Sequence, residues 1–217
     1  MTVERTIAVS FHGRYLVHVP DGSGPFPVQA AFHGYAEDAS TAIDRMRQIP
    51  GSHRWLMVAI QGLHRFYRRR TREVIASWMT RQDRDLAIAD NIEYVSKVVA
   101  AVRGEWDVSG LIVFSGFSQG VAMAFRAACH SDVPAGGVIS LGGDIPAELE
   151  RHALGRIPTA LIGRGDADDW YTAEKCAMDV SRLTDAGVRV TVCRLTAGHE
   201  WTAEFSGMAG DFLARLE

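Results

Sequence analysis

The chain of 217 residues has few of the features that mark specialised scaffolds. Its three cysteines, Cys129, Cys176 and Cys193, are an odd number without C-x-x-C spacing, so a disulfide framework is not expected and a reducing, cytoplasmic setting fits best. No pair of its eight histidines has metal-ligand spacing, so neither a metal nor another cofactor is expected. No long block of one charge sign exists, apart from the local run of arginines between Arg65 and Arg72: 23 Lys+Arg stand against 26 Asp+Glu, a net charge of −3, and nucleic acid is therefore not an expected partner. The first residues, Met1 to Arg5, have neither the basic start nor the apolar run of a signal peptide. One long uncharged stretch runs from Val108 to Phe125. It is rich in serine and glycine, too polar and turn-prone for a membrane span, so stable membrane insertion is not expected. Internal repeats, linkers and low-complexity tracts are missing as well.

What remains is ordinary globular composition, 47% hydrophobic and 9% aromatic. At this size, area scaling buries roughly 70% of the unfolded surface. The expectation is a single domain, residues 1–217, needing no staple and leaving room for a homo-oligomer.

The pattern along the chain alternates. Thr6 to Phe11 and Tyr15 to Val19 read as strands of an N-terminal antiparallel hairpin turning at His12-Gly13-Arg14. Apolar runs at Pro27–Phe32, Trp55–Ile60, Leu111–Phe114, Gly137–Leu141, Thr159–Ile162 and Arg189–Leu195 read as further strands. Helical patterns lie between or after them, at Ala39–Ile49, Asp85–Arg103, Gln119–Cys129, Thr172–Ala186 and Ala203–Leu216. Continuous Val/Ile/Leu runs in β-α order predict an α/β fold with a mostly parallel sheet covered by helices on both faces. From Gly62 to Arg84 the rhythm stops, and a connection of that length suggests a lid or cap loop over the site.

The uncharged stretch resolves into a strand, a sharp turn and a helix around Gly116-Phe117-Ser118-Gln119-Gly120. Such a turn exposes a serine hydroxyl at its corner, with glycines two residues either side where a side chain would crowd it. The helix N-terminus that follows favours negative charge. A serine nucleophile needs a base, and the base an orienting acid. His199 follows the last strand and is the candidate base. The acid is expected after a strand between the two, where Asp166, Asp168 and Asp169 stand, with Asp144 as a further rival; Asp168 is preferred. Two backbone donors for an oxyanion are expected at Gln119 and at Tyr35, in the Phe32-His33-Gly34-Tyr35 turn after an early strand. His33 reads as a residue that stiffens this turn. Trp78 and Trp170 are candidates to wall a substrate pocket, although buried core is the default for each. Arg65, Arg68, Arg69, Arg70 and Arg72 read first as a solvated basic surface, and second as a recognition element for an acidic substrate or anionic lipid.

Gly116-Phe117-Ser118-Gln119-Gly120, the His33-Gly34 turn followed by Glu37-Asp38, Gly165-Asp166-Ala167-Asp168 and Gly198-His199-Glu200 occur in this order. Together they resemble the phospholipase/carboxylesterase branch of the α/β-hydrolase superfamily, which includes acyl-protein thioesterases. The resemblance extends from about Pro27 to the C-terminus. It implies an α/β-hydrolase fold, a triad of Ser118, Asp168 and His199, and oxyanion donors at Tyr35 and Gln119. The implied activity is hydrolysis of small-molecule carboxylic esters with small or medium acyl chains through an acyl-enzyme. Thioesterase or lysophospholipase activity, or a silent ligand-binding relative, are the alternatives. Two positions depart from the family pattern: Ala36 stands where glycine is usual, and Asp169-Trp170-Tyr171 replaces a small apolar run ending in proline.

Overall fold

The computed structural model describes residues 1–217. Its strands are β1 (Arg14–His18), β2 (Phe26–Phe32), β3 (Leu56–Gln61), β4 (His64–Tyr67), β5 (Val74–Ser77), β6 (Val108–Phe117), β7 (Ala135–Leu141), β8 (Thr159–Gly165) and β9 (Arg189–Leu195). The helices are α1 (Ala39–Arg47), α2 (Arg84–Glu105), α3 (Gln119–His130), α4 (Arg151–Leu154), α5 (Ala173–Asp185) and α6 (Ala203–Ala214). Seven strands form one sheet in the order β1-β3-β2-β6-β7-β8-β9, parallel except for β1. This is the mixed, mostly parallel sheet of an α/β-hydrolase.

Alternation along the strands distributes the core over both faces. Val28, Ala30, Phe32, Ile112, Phe114, Val138 and Ile162 point to the side packed by α2, α3 and α5. Their neighbours Ala31, Val113, Ile139 and Leu161 point to the side packed by α1 and α6. With both faces covered, these strands must be apolar throughout, which is why they read as continuous runs.

The expected N-terminal hairpin does not form. Arg14–His18 is an antiparallel strand, but it pairs with Leu56–Gln61's residues Met57 to Gln61, while Thr6–Phe11 has no regular structure. Ile7 and Val9, the residues that gave this segment its strand-like alternation, are 88% and 79% exposed and pack on nothing. A hairpin occurs instead in the aperiodic segment: β4 and β5 pair antiparallel from His64–Ser77 to Tyr67–Val74. Every residue of β4 is exposed, so its sequence carries no burial signal.

Chain order reverses direction in the sheet between β2 and β6: β3 and β1 lie beyond β2, and β7, β8 and β9 beyond β6. Parallel sheets leave a crevice at the C-terminal strand ends where this happens. The loops after β2, β6, β8 and β9 converge there.

Candidate active site

Ser118 sits between β6 and α3 with φ 52° and ψ −121°, a conformation sparsely populated for any residue with a side chain. Neighbouring packing holds it. A Cβ on Gly116 would lie 2.4 Å from the Gly120 carbonyl oxygen, and one on Gly120 would lie 2.1 Å from that of Phe32. The two glycines let strand, turn and helix close on one another, and the Ser118 amide donates to the Leu141 carbonyl at 2.9 Å.

His199 lies in the loop between β9 and α6. Its Nε2 is 2.8 Å from Ser118 Oγ, and its Nδ1 is 2.8 Å from Asp168 Oδ2. A carboxylate only accepts, so Nδ1 carries the hydrogen of the neutral ring and Nε2 is free to accept from the serine hydroxyl. The Asp168 side chain is 1% exposed, and its Oδ1 accepts the amides of Trp170 and Tyr171, both at 2.9 Å. Those amides fix which oxygen faces His199.

None of the rival acids meets His199. Asp166 Oδ1 accepts from Arg164 at 2.6 Å and from Arg194 at 3.2 Å. Asp144 pairs with Lys175 at 3.3 Å, and Asp169 lines the cleft without meeting His199.

Tyr35 follows β2 in a turn stiffened from below. Buried His33 accepts the Gly62 amide at Nε2 (2.9 Å), which leaves Nδ1–H to donate to the Gly34 carbonyl (2.7 Å). Burial lowers the pKa of His33, keeping it neutral in this role. Glu37 accepts the Gly34 amide at 2.7 Å and is clamped bidentately by Arg45 at 2.5 and 2.6 Å. The Arg45 guanidinium lies 4.1 Å from the Phe117 ring centre, and that ring lies 5.1 Å from His199. The Tyr35 amide has no protein acceptor, and the Gln119 amide, opening α3, has none within its helix. Gln119 is anchored by its side chain, which accepts the Trp78 amide at 3.0 Å and donates to the Met79 carbonyl at 3.2 Å.

Ala36, the departure from the family pattern, has φ 58°. Glycine takes this conformation without the Cβ penalty, so Ala36→Gly is expected to raise stability by about 1 kcal/mol, less the added unfolded-state entropy of glycine. Thermal unfolding of the two proteins checks this; a less stable variant would show that the unfolded-state term dominates.

Ser118 and His199 open onto a cleft of about 860 Å³. Trp170 lines it and is 65% exposed. Trp78 does not: it is fully buried, donates its indole N–H to the His33 carbonyl at 2.9 Å and packs edge-on to Phe32 and tilted against His33. Its aromatic bulk serves the core beneath the turn. The residues that complete the cleft, among them Met79, Ala122, Ile145 and Pro146, carry no chemical signature in sequence. Only the four-residue recurrence of Ser118, Ala122 and Arg126 on α3 could have marked that face.

None of Arg65, Arg68, Arg69, Arg70 and Arg72 lines the cleft. Arg68 donates to the Ala36 carbonyl at 2.9 Å and lies 3.3 Å from Glu73, and Arg65 packs on Phe11. Replacing Arg69, Arg70 and Arg72 by glutamine should leave kcat/KM unchanged for both neutral and anionic esters. A salt-sensitive loss confined to anionic esters would instead make this hairpin part of the site.

The phospholipase/carboxylesterase family profile matches residues 75–214, well over half of the chain. No curated protein matches the sequence. Among solved structures, the carboxylesterase of Bacillus cereus is 15% identical with a TM-score of 0.74, covering 94% of this chain and 95% of its own. Acyl-protein thioesterase 2 of Zea mays is 16% identical with a TM-score of 0.71, covering 94% and 99%. A phospholipase/carboxylesterase of Dyadobacter fermentans, 16% identical with a TM-score of 0.70, covers 95% and 99%. At such identities the structures establish the fold, and the profile establishes the family. The chain belongs to the phospholipase/carboxylesterase family of α/β-hydrolases, enzymes that act on ester bonds.

Proposed function

We propose that the protein is a serine carboxylesterase in which Ser118, His199 and Asp168 form the catalytic triad and the amides of Tyr35 and Gln119 form the oxyanion hole. The observation that carries this reading is the unbroken hydrogen-bond chain from Ser118 Oγ through both ring nitrogens of His199 to buried Asp168. It runs at the mouth of a cleft large enough for a small or medium acyl ester.

In the first step Ser118 Oγ attacks the ester carbonyl while its proton passes to His199 Nε2. The resulting imidazolium is stabilised by Asp168, and the negative charge on the former carbonyl oxygen by the two amides. Collapse breaks the ester C–O bond, and the alcohol leaves with the proton held on Nε2. Water then attacks the acyl-serine, giving its proton to Nε2. The acid departs as that proton returns to Ser118 Oγ. The chain's own residues carry every one of these proton transfers, so incubation with a chelator should leave turnover unchanged.

We place the enzyme in a reducing compartment, the cytoplasm, because all three of its cysteines are free and buried. No helix is long and apolar enough to cross a membrane.

The test is a panel of p-nitrophenyl esters and matched thioesters of graded acyl length. The reading predicts turnover of esters with a maximum at short or medium chains. A strong preference for thioesters or long-chain lysophospholipids would move the assignment to those family activities. Tight binding without turnover of any member would favour a silent ligand-binding relative.

A further inference from the structure

The far part of the cleft holds charge that ester hydrolysis does not use. Arg126 lies on α3, eight residues beyond Ser118, which is about 12 Å along a helix rising 1.5 Å per residue. Its side chain leans back toward the helix N-terminus, as helical side chains do, and reaches the cleft lined by Ser118 and Ala122. The side chain is 1% exposed. A guanidinium has five N–H donors, and one this deeply buried needs acceptors for them. Arg126 has a single oxygen: Nε at 3.0 Å and Nη2 both donate to Glu148 Oε1. Nη1 meets only the thioether sulfurs of Met79 and Met123, at 4.0 and 3.9 Å. Sulfur is a weak acceptor, so Nη1 is under-satisfied.

A second cation stands beside it. Arg84, half-exposed and also lining the cleft, reaches Glu148 Oε2 at 3.5 Å and Asp85 at 3.7 Å. Glu148 therefore serves two guanidiniums at once. The acids that line the cleft, Asp144 and Asp169, belong to the wall that also carries Trp170, and Lys175 pairs with Asp144 there. The cleft is thus polarised, with spare donors at the Arg126 end and a nucleophile two helical turns away.

We propose that Arg126 and Arg84 form an anion subsite, and that the preferred substrates are esters carrying a second, carboxylate group remote from the scissile carbonyl. This inference rests on the esterase reading and names its substrate class. A carboxylate at that end would accept from Arg126 Nη1, giving that buried donor the oxygen it lacks, and from half-exposed Arg84. The apolar wall of Met79, Ala122 and Ile145 suits a methylene spacer between the two groups.

The experiment compares matched pairs of p-nitrophenyl esters: butanoate against the half-ester of pentanedioate, and heptanoate against the half-ester of octanedioate. Alcohol-side pairs, ethyl against carboxyalkyl esters, distinguish which end of the substrate carries the charge. In one series the wild-type protein should favour the anionic member at least tenfold in kcat/KM. In Arg126→Gln and in Arg84→Gln that ratio should collapse toward one. Arg84 is half-exposed, so its variant keeps the test decisive should Arg126→Gln fold poorly. Calorimetric titration with octanedioate reads the subsite without turnover: the wild type should bind it and Arg84→Gln should bind it at least tenfold more weakly. Hydrolysis of neutral esters with no anionic preference and no octanedioate binding would overturn the subsite and leave the esterase reading standing. Octanedioate binding that Arg84→Gln weakens, without hydrolysis of any ester, would uphold the subsite and overturn the esterase reading.

Discussion

Ser118→Ala is expected to reduce ester turnover by about 10⁴-fold or more, with the protein still folded. Alanine offers no oxygen for the acyl group, so the residual rate is whatever the proposed oxyanion donors, the amides of Tyr35 and Gln119, can achieve with water and without a covalent step. The companion variant Ser118→Gly separates chemistry from backbone. Its activity should be lost as completely, but glycine adopts the positive φ of this corner freely, so its unfolding midpoint should exceed that of Ser118→Ala. Stored strain of about 1–3 kcal/mol is the range expected for such a conformation. Equal midpoints would mean that the strain relieved is no larger than the unfolded-state entropy that glycine adds. Retained turnover in either variant would remove Ser118 from the mechanism.

Asp168→Asn is the second large effect, about 10⁴-fold in turnover. The reason is specific to the hydrogen bonds around this side chain. The amides of Trp170 and Tyr171 both donate to Oδ1, so the asparagine carbonyl oxygen must stay on that side and its NH₂ group must face His199 Nδ1. Two donors then meet. The imidazole is driven to the tautomer with its hydrogen on Nε2, which can no longer accept the serine proton. Asp166→Asn and Asp169→Asn should cost far less: Asp166 is occupied by Arg164 and Arg194, and Asp169 has no contact with His199. Steady-state kinetics of these three variants and of Asp144→Asn on one ester decide the matter. A larger loss from Asp166→Asn than from Asp168→Asn would assign the acid to another residue of the loop after β8, and a larger loss from Asp144→Asn would assign it to the end of β7.

Much of this architecture was legible because the sheet is buried on both faces. Strands such as Leu56–Gln61 and Thr159–Gly165 are buried throughout except for half-buried Thr159, so their apolar runs stand out from the helical periods between them. The turn at Ser118 was legible for a related reason: glycines at 116 and 120 are demanded by contacts under 3 Å that no other residue permits. Pairing was harder to read. Thr6–Phe11 alternates like a strand, but alternation says nothing about whether a partner edge is available, and Arg14–His18 takes the edge of β3 by itself. The β4–β5 hairpin escaped for the opposite reason, since an exposed strand of His64, Arg65, Phe66 and Tyr67 has no buried face to give it a period.

Within the site, residue type was informative and position less so. Asp168 competes in sequence with Asp166 and Asp169 only two residues or one away, and what separates them is burial and the direction of two backbone amides. Trp78 and Trp170 look alike as loop tryptophans. The indole N–H of Trp78 finds a buried carbonyl and the residue joins the core, whereas Trp170 stands over Lys175 at the cleft. Arg126 gave no sign beyond its four-residue spacing from Ala122 and Ser118: on a helix it reads as surface, and its meaning comes from Met123 on the same helix and from Glu148 and Met79, brought to it by other segments.

Covalent labelling tests the central claim most directly, because only a serine activated by a neighbouring base reacts quickly with a fluorophosphonate. The folded protein should take up one adduct, mapped by mass spectrometry to the peptide containing Ser118, with activity lost in proportion. Urea-unfolded protein and Ser118→Ala should remain unlabelled on the same timescale. An adduct on another residue, or full inactivation without modification of Ser118, would contradict the account.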